Sequence, residues 1–286
     1  MKIITLLENT ACDTALCAAH GLSLYIETPK HKILFDMGPD GRFIGNAQKL
    51  GVDLSAVDVA VLSHGHFDHG GGLRAFSEVN SRADILIHTD AFGNFYAVRP
   101  GKEPAYIGLD PELWELESRV IPTADFVKLD DELTLFSDEP EVFPALAASA
   151  KLHVETPEGL RPDPFTHEQN LLVTAWGKSV LFAGCAHRGI VNILAGARER
   201  LGRLPDAVFG GFHFFELDPA DPESARLIDD TGKALLDGET VYYTGHCTGE
   251  YAYERLHAIL GDRLRHMSGG GIVEICEKDG DTTWRN

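Results

Sequence analysis

Several things are missing from this sequence, and each absence excludes a class of protein. No C-x-x-C pair occurs among its five cysteines, Cys12, Cys17, Cys185, Cys247 and Cys276, so a closed four-cysteine zinc site is excluded. Their odd number and wide spacing argue for a reducing compartment rather than a disulfide framework. No apolar run approaches the roughly 18 residues of a membrane span. The opening MKIITLLENT lacks the basic flank, long apolar stretch and small-residue cleavage site of a signal peptide. A cytoplasmic protein without membrane contact is the expectation. Positive charge is scarce: the net charge is −19, and no lysine- and arginine-rich stripe is visible, which disfavours nucleic-acid binding. The mildly basic Arg198–Arg203 stretch reads as a solvated helix face. No linker rich in Gly, Ser or Pro divides the chain, and no exact repeat is visible.

What is present is an ordinary globular balance, 44% hydrophobic and 24% charged over 286 residues, long enough for a sizeable core. Apolar and alternating runs predict strands at Lys2–Leu7, Leu22–Thr28, Lys32–Asp36, Val57–Ser63 and Ile85–His88. Further strands are expected at Leu133–Phe136, Leu171–Ala175, Ser179–Ala183, Ala207–Phe209, Thr240–Tyr243 and, last, Ile272–Glu277. Helical periodicity covers Asn46–Leu50, Ile190–Arg200, Glu223–Leu236 and Tyr251–Leu260. Residues from about 90 to 125 carry Phe92, Phe95, Tyr96, Tyr106 and Trp114 with weak periodicity. They read as an insertion or cap with one short helix near Pro111–Glu117. The expectation is a single domain, 1–286, of α/β (α+β) class.

The chemistry concentrates in Ser63-His64-Gly65-His66-Phe67-Asp68-His69-Gly70-Gly71. Three imidazoles and a carboxylate fall within six residues, just past a strand, where the backbone turns and side chains converge. Such ligands suit zinc, iron or manganese. With only thirteen histidines in the chain, three in six is improbable by chance. Independently, His246 follows a strand-like run and Gly245, which permits a sharp turn.

H-x-H-x-D-H after an apolar strand, with Leu34–Gly38 (LFDMG) upstream, resembles the signature of the metallo-β-lactamase superfamily. Other passages are similar to one branch of it, metal-dependent hydrolases related by similarity to dihydropteroate synthase. That branch includes a synthase of a ribofuranosylaminobenzene phosphate pterin conjugate. These passages are Leu7-Glu8-Asn9, Gly21-Leu22-Ser23, Ser63–Gly72, Gly184-Cys185-Ala186-His187 with Gly189–Asn192, Gly210-Gly211-Phe212-His213 and His246-Cys247-Thr248-Gly249.

The resemblance implies a four-layer αββα sandwich with a metal site at one edge. It implies that His64 and His66 bind one metal, and that Asp68, His69 and His246 bind a second. The superfamily also has a histidine before the Val180–Ala183 strand and a bridging aspartate after it. Here cysteine, Cys185, stands in the aspartate's place and His187 follows. Either is a candidate ligand, His187 the stronger; Cys185 is alternatively a small buried residue beside the site. His167, upstream, reads as a loop residue, and Glu168-Gln169 as a polar pair. Asp36 is either a carboxylate orienting a ligand histidine or a turn cap. His213 is a site residue that binds substrate, binds metal or, on the preferred reading, delivers a proton. His20, His31, His88, His153, His257 and His266 read as solvated or core residues, and Cys12, Cys17 and Cys276 as buried or inert.

Two divalent ions about 3.5 Å apart, zinc first with iron or manganese as alternatives, would share a water whose pKa falls towards neutrality. The expected function is hydrolysis of an ester, thioester, lactone or phosphoester of a small molecule, with Asp68 and His213 catalytic. The alternative is a pterin-related synthase acting on an anionic substrate, for which Arg42, Arg99, Lys102 and Arg188 are candidate cations. The plainer reading of Arg188 is a surface residue at a helix start. A di-iron redox site ranks lower, because Asp68 is the cluster's lone carboxylate. A metal-binding protein without catalysis ranks lower still. Oligomeric state is not legible.

Overall fold

The computed structural model describes residues 1–144, 147–275 and 282–285. Two large sheets lie face to face. The first has eight strands, in spatial order Thr282–Arg285, Ile272–Ile275, Lys2–Leu7, Ser23–Glu27, Lys32–Phe35, Val59–Leu62, Asp84–His88 and Val120–Thr123. The second has seven: Leu264–His266, Val241–Thr244, Ala207–Phe209, Lys178–Phe182, Asn170–Ala175, Leu133–Phe136 and Phe126–Lys128. Alternate residues of the strands turn inward, and Ile3, Ile26, Phe35, Val61, Leu135, Val173, Phe182 and Phe209 form one buried core between the sheets.

Helices cover the outer faces. Arg42–Lys49 and Leu73–Val79 bury Phe43, Ala47, Leu73 and Phe76 against the first sheet. Ile190–Leu201, Pro222–Ala234 and Glu250–Leu260 bury Ile193, Ala197, Ile228, Ala252 and Leu256 against the second. Pro222–Ala234 starts where its sequence signals a start: Asp221 accepts the Glu223 N–H, and Pro222 takes the first turn, where no N–H is needed. The result is the expected αββα sandwich.

The strands that matter for function run parallel. Lys32–Phe35, Val59–Leu62 and Asp84–His88 are mutually parallel in one sheet. Lys178–Phe182, Ala207–Phe209 and Val241–Thr244 are parallel in the other. Their carboxyl ends deliver Asp36, His64, Cys185, His213 and His246 to one edge of the sandwich.

The 90–125 segment, expected as an insertion or cap with one short helix, is built into the sheets of the fold. Val120–Thr123 pairs in parallel with Asp84–His88 as an edge strand of the first sheet. Phe95–Ala97 and Ala105–Tyr106 join a four-stranded sheet with Leu152–Thr156 and Gly159–Pro162. The segment is thus divided between two sheets, and the short helix expected near Pro111–Glu117 is present as a 3-10 helix, Pro111–Arg119. The final expected strand ends at Ile275; Cys276 and Glu277 lie outside the described residues, and Thr282–Arg285 pairs with that strand. Among the described residues no helix is long and apolar enough to cross a membrane.

Candidate metal centre

His64 and His66 follow directly on Val59–Leu62, and a single helical turn, Phe67–Gly70, carries Asp68 and His69. The loops after the second sheet's parallel strands approach from the opposite side. Close approach demands glycine at one point: a Cβ on Gly184 would lie 2.2 Å from Ser63 Oγ and 2.9 Å from His64 Nδ1. Backbone strain collects here as well. Of the six non-glycine residues with positive φ among those described, Asp36, Phe165, Ala186, His213 and His246 surround this edge. Residues in that region are held by their surroundings rather than by preference, and such residues cluster at functional sites.

Two groups of nitrogen donors converge. His64 Nε2 lies 3.3 Å from His187 Nε2. His69 Nε2 lies 3.1 Å from His246 Nε2, which is 3.3 Å from Asp68 Oδ2. Cys185 stands between the groups: its sulfur is 3.2 Å from His69 Nε2, and it is within ligand range of His64 and His187 as well. His66 Nε2 is buried without a hydrogen-bond partner.

This donor set fits divalent cations. Burial pushes His64 and His187 well below the ordinary histidine range, and His66 down to about 3, so their rings are neutral with lone pairs available. Two nitrogens about 2.05 Å from one tetrahedral ion are about 3.3 Å apart, the spacing seen in both pairs. Burial works against the charge on Asp68, yet neighbouring His69 and hydrogen bonds with His20 and His246 hold its carboxyl well below the usual range. His246 moves the other way: against its burial, the Asp68 hydrogen bond and the charges of Cys247 and Glu8 raise it to about 9. Burial, with the Cys247 thiol beside it, pushes the Cys185 thiol up.

The donors are oriented from behind. Asp36 Oδ2 is 2.6 Å from His69 Nδ1, and the same carboxylate accepts the Ser63 N–H and hydroxyl. It orients a site histidine, and caps the Ser63 turn as well. Asn9 Oδ1 is 3.0 Å from His246 Nδ1, and Glu8 accepts the His246 backbone N–H. Glu168 accepts the backbone N–H groups of His187 and Arg188.

Several sequence expectations change. His167 is a loop residue as expected, but a buried one, with Nδ1 accepting the Gly65 N–H and Nε2 3.0 Å from Asp163 Oδ2. With both nitrogens engaged it stabilises the His64–His66 loop, and His187 is the histidine that meets His64. His20, expected to be solvated or core, lies 3.3 Å from Asp68 Oδ2, with its ring against His246. Arg188 is half-buried at a helix start and is not a free cation: it pairs with Glu139 and donates to the Ser137 carbonyl. Arg42 is held by Asp40 on the surface. Cys12 and Cys17 are exposed rather than buried. His213 belongs to the site, its ring 4.2 Å from that of His187, but neither ring nitrogen has a hydrogen-bond partner.

The donors open into a cavity of about 270 Å³. His66, Asp68, Cys185, His187 and His213 form its floor, and Ala97, Arg99, Ile107 and Leu152 come from the small sheet side. Arg99 there is bound to Glu216, to which Lys151 is also paired. A second cavity of about 670 Å³ meets the first at His187 and is lined by Phe165, Arg188 and Asn192.

The family model described as metallo-beta-lactamase superfamily matches residues 19–246. The chain belongs to that superfamily. One relative is the 7,8-dihydropterin-6-methyl-4-(beta-D-ribofuranosyl)-aminobenzene-5'-phosphate synthase of Methanocaldococcus jannaschii, 28% identical, with 96% of this chain and 97% of the relative covered. A solved structure described as a metal-dependent hydrolase of the beta-lactamase superfamily superposes with a TM-score of 0.80 at 25% identity, covering 96% of this chain and 99% of the other. Zinc-bound PqqB from Methylobacterium extorquens, at 12% identity and a TM-score of 0.53, covers 96% of this chain and all of its own, and shares the superfamily's fold.

Proposed function

We propose that this protein is a metal-dependent hydrolase acting on an ester, thioester, lactone or phosphoester of a small molecule. The observation that carries the reading is the convergence of two histidine pairs at ligand spacing, with Cys185 between them, beside a cavity. His64, His66 and His187 would hold one ion. Asp68, His69 and His246 would hold a second, and Cys185 would replace the usual bridging carboxylate. Imidazole, carboxylate and a single thiol suit zinc first, with iron or manganese as alternatives. Ions bound there supply Lewis acidity, favouring deprotonation of a nucleophile and stabilising negative charge on a substrate oxygen.

The chain's own residues do the rest. Asp36 fixes His69 with Nε2 towards the cavity, and Asn9 does the same for His246. Asp68 remains ionised and gives the second subsite its fixed negative charge. Ala97, Ile107 and Leu152 present an apolar wall that limits water around the reacting group. Nothing fixes which His213 nitrogen would carry a proton, so the proton-delivery role foreseen for it has no geometric support beyond its place on the cavity floor.

A second reading, the pterin-related synthase, has its own support. The similarity to the Methanocaldococcus enzyme runs end to end, and the two cavities meeting at His187 offer room for two reactants.

Elemental analysis of protein purified without added metal tests the centre: at least two equivalents per chain are expected, and none or one overturns the two-subsite reading. Assays with nitrophenyl esters, phosphodiesters and lactones then separate the reactions. Turnover lost in His66→Ala supports hydrolysis at this centre. No turnover on the panel, with formation of the conjugate from a 7,8-dihydropterin and a ribofuranosylaminobenzene phosphate, favours the synthase.

A further inference from the structure

We propose that Cys185, His213 and Cys247 form a thiol-rich cation position beside the histidine–aspartate centre, taking a thiophilic ion. The three residues come from the loops that end three adjacent parallel strands, Lys178–Phe182, Ala207–Phe209 and Val241–Thr244. All three are buried, and one donor atom from each lies within 4.8 Å of the others.

Three observations set this group apart from incidental neighbours. Both ring nitrogens of His213 are buried and lack a hydrogen-bond partner of ordinary geometry, with the Cys247 thiol beside the ring, so the imidazole has a nitrogen free for a ligand. The His213 backbone is held in the left-handed region at φ 50°, which turns the residue back over the strand ends. The sulfur of Cys247 occupies space that only glycine at position 211 leaves open, since a Cβ there would lie 2.3 Å from it. The preceding reading uses Cys185 alone of the three, as the link between its subsites. His213 and Cys247 are therefore a surplus of donors, set next to a sulfur that already serves a cation.

Two thiols and an imidazole are a soft donor set. It suits zinc, cadmium or copper(I), and discriminates against magnesium, calcium and manganese, which prefer oxygen. The deprotonated thiols supply the negative charge, and their protons pass to solvent as the ion binds. Because Cys185 is shared, this position rests on the two-subsite reading at that one residue.

Cadmium is the probe, since its thiolate complexes absorb in the ultraviolet. The background is the full chain with Cys12, Cys17 and Cys276 changed to serine, so that only the two buried thiols report. Metal-free protein is titrated with cadmium. The expected result is a charge-transfer band of two thiolates per chain that falls by about half in Cys247→Ser. An unchanged band in Cys247→Ser overturns the proposal. Cadmium NMR of the unsubstituted protein counts sulfur ligands without any variant: two support the position, and one overturns it. His66→Ala separates the two readings. Loss of part of the bound zinc by elemental analysis, with the two-thiolate band intact, places the soft position apart from the histidine pair. Loss of the band together with the zinc overturns it as a separate position.

Discussion

Asp36 never faces the cavity, yet its carboxylate decides which His69 nitrogen does. Its Oδ2 engages Nδ1 at 2.6 Å, leaving Nε2 for the site. Outer partners of this kind typically contribute 10- to 100-fold to metal affinity. Asp36→Asn is expected to weaken zinc binding by about that factor, measured by competition with a chromophoric chelator. An unchanged affinity would remove the orienting role. Residues of this sort show how far the sequence can be read. His64, His66, Asp68 and His69 declare themselves because all four lie within six positions and a strand precedes them. His20 and Cys247 do not: their partners Asp68 and Cys185 are far away in sequence, and each pair meets only because strand order within a sheet sets their loops side by side. His167 misleads for a related reason. Its loop setting is visible, but the Gly65 N–H and Asp163 that engage its ring are not.

At the scale of elements, Asp206 ties the start of Lys178–Phe182 to the loop before Ala207–Phe209. It accepts the Ser179 N–H and pairs with Lys178 and Arg203. Burial opposes its charge, but these three donors outweigh burial and hold its carboxyl below the usual range. A depressed carboxyl stabilises the fold above its unfolded pKa, and that stability is lost as pH falls through the lowered value. Asp206→Asn is therefore expected to lower the urea midpoint at about pH 6 and to flatten its decline towards about pH 3. Equal declines in both proteins would show that other carboxylates carry the acid limb. The parallel strands that bear the site were legible, because strands buried on both faces read as near-continuous apolar runs. The small sheet was not. Gly159–Pro162 is exposed along its whole length, Ala105–Tyr106 spans two residues, and neither carries an alternating pattern. Their strand character comes from hairpin pairing with Leu152–Thr156 and Phe95–Ala97, not from their own patterning.

The molecule as a whole brings a net charge of −19 to a centre that gathers cations. Its donors are split between the layers. His64, His66, Asp68 and His69 come from loops of the first sheet; Cys185, His187 and His246 come from loops of the second. Ions bound there would cross-link the two halves of the sandwich at its open edge, where the core between the sheets gives way to polar side chains. An ion at 100 times its dissociation constant stabilises the state that binds it by about 2.7 kcal/mol. For a chain of this size that corresponds to a rise of about 4–5 °C in melting temperature on adding zinc to chelator-stripped protein. Differential scanning calorimetry checks it, with sodium chloride of matched ionic strength separating specific binding from screening of the negative surface. If the edge is held as described, His187→Ala loses most of the zinc-dependent rise, because it removes the donor that links the second sheet to His64. A rise of full size in His187→Ala, or one reproduced by sodium chloride alone, would mean that cations act on the surface charge and not on the junction between the sheets.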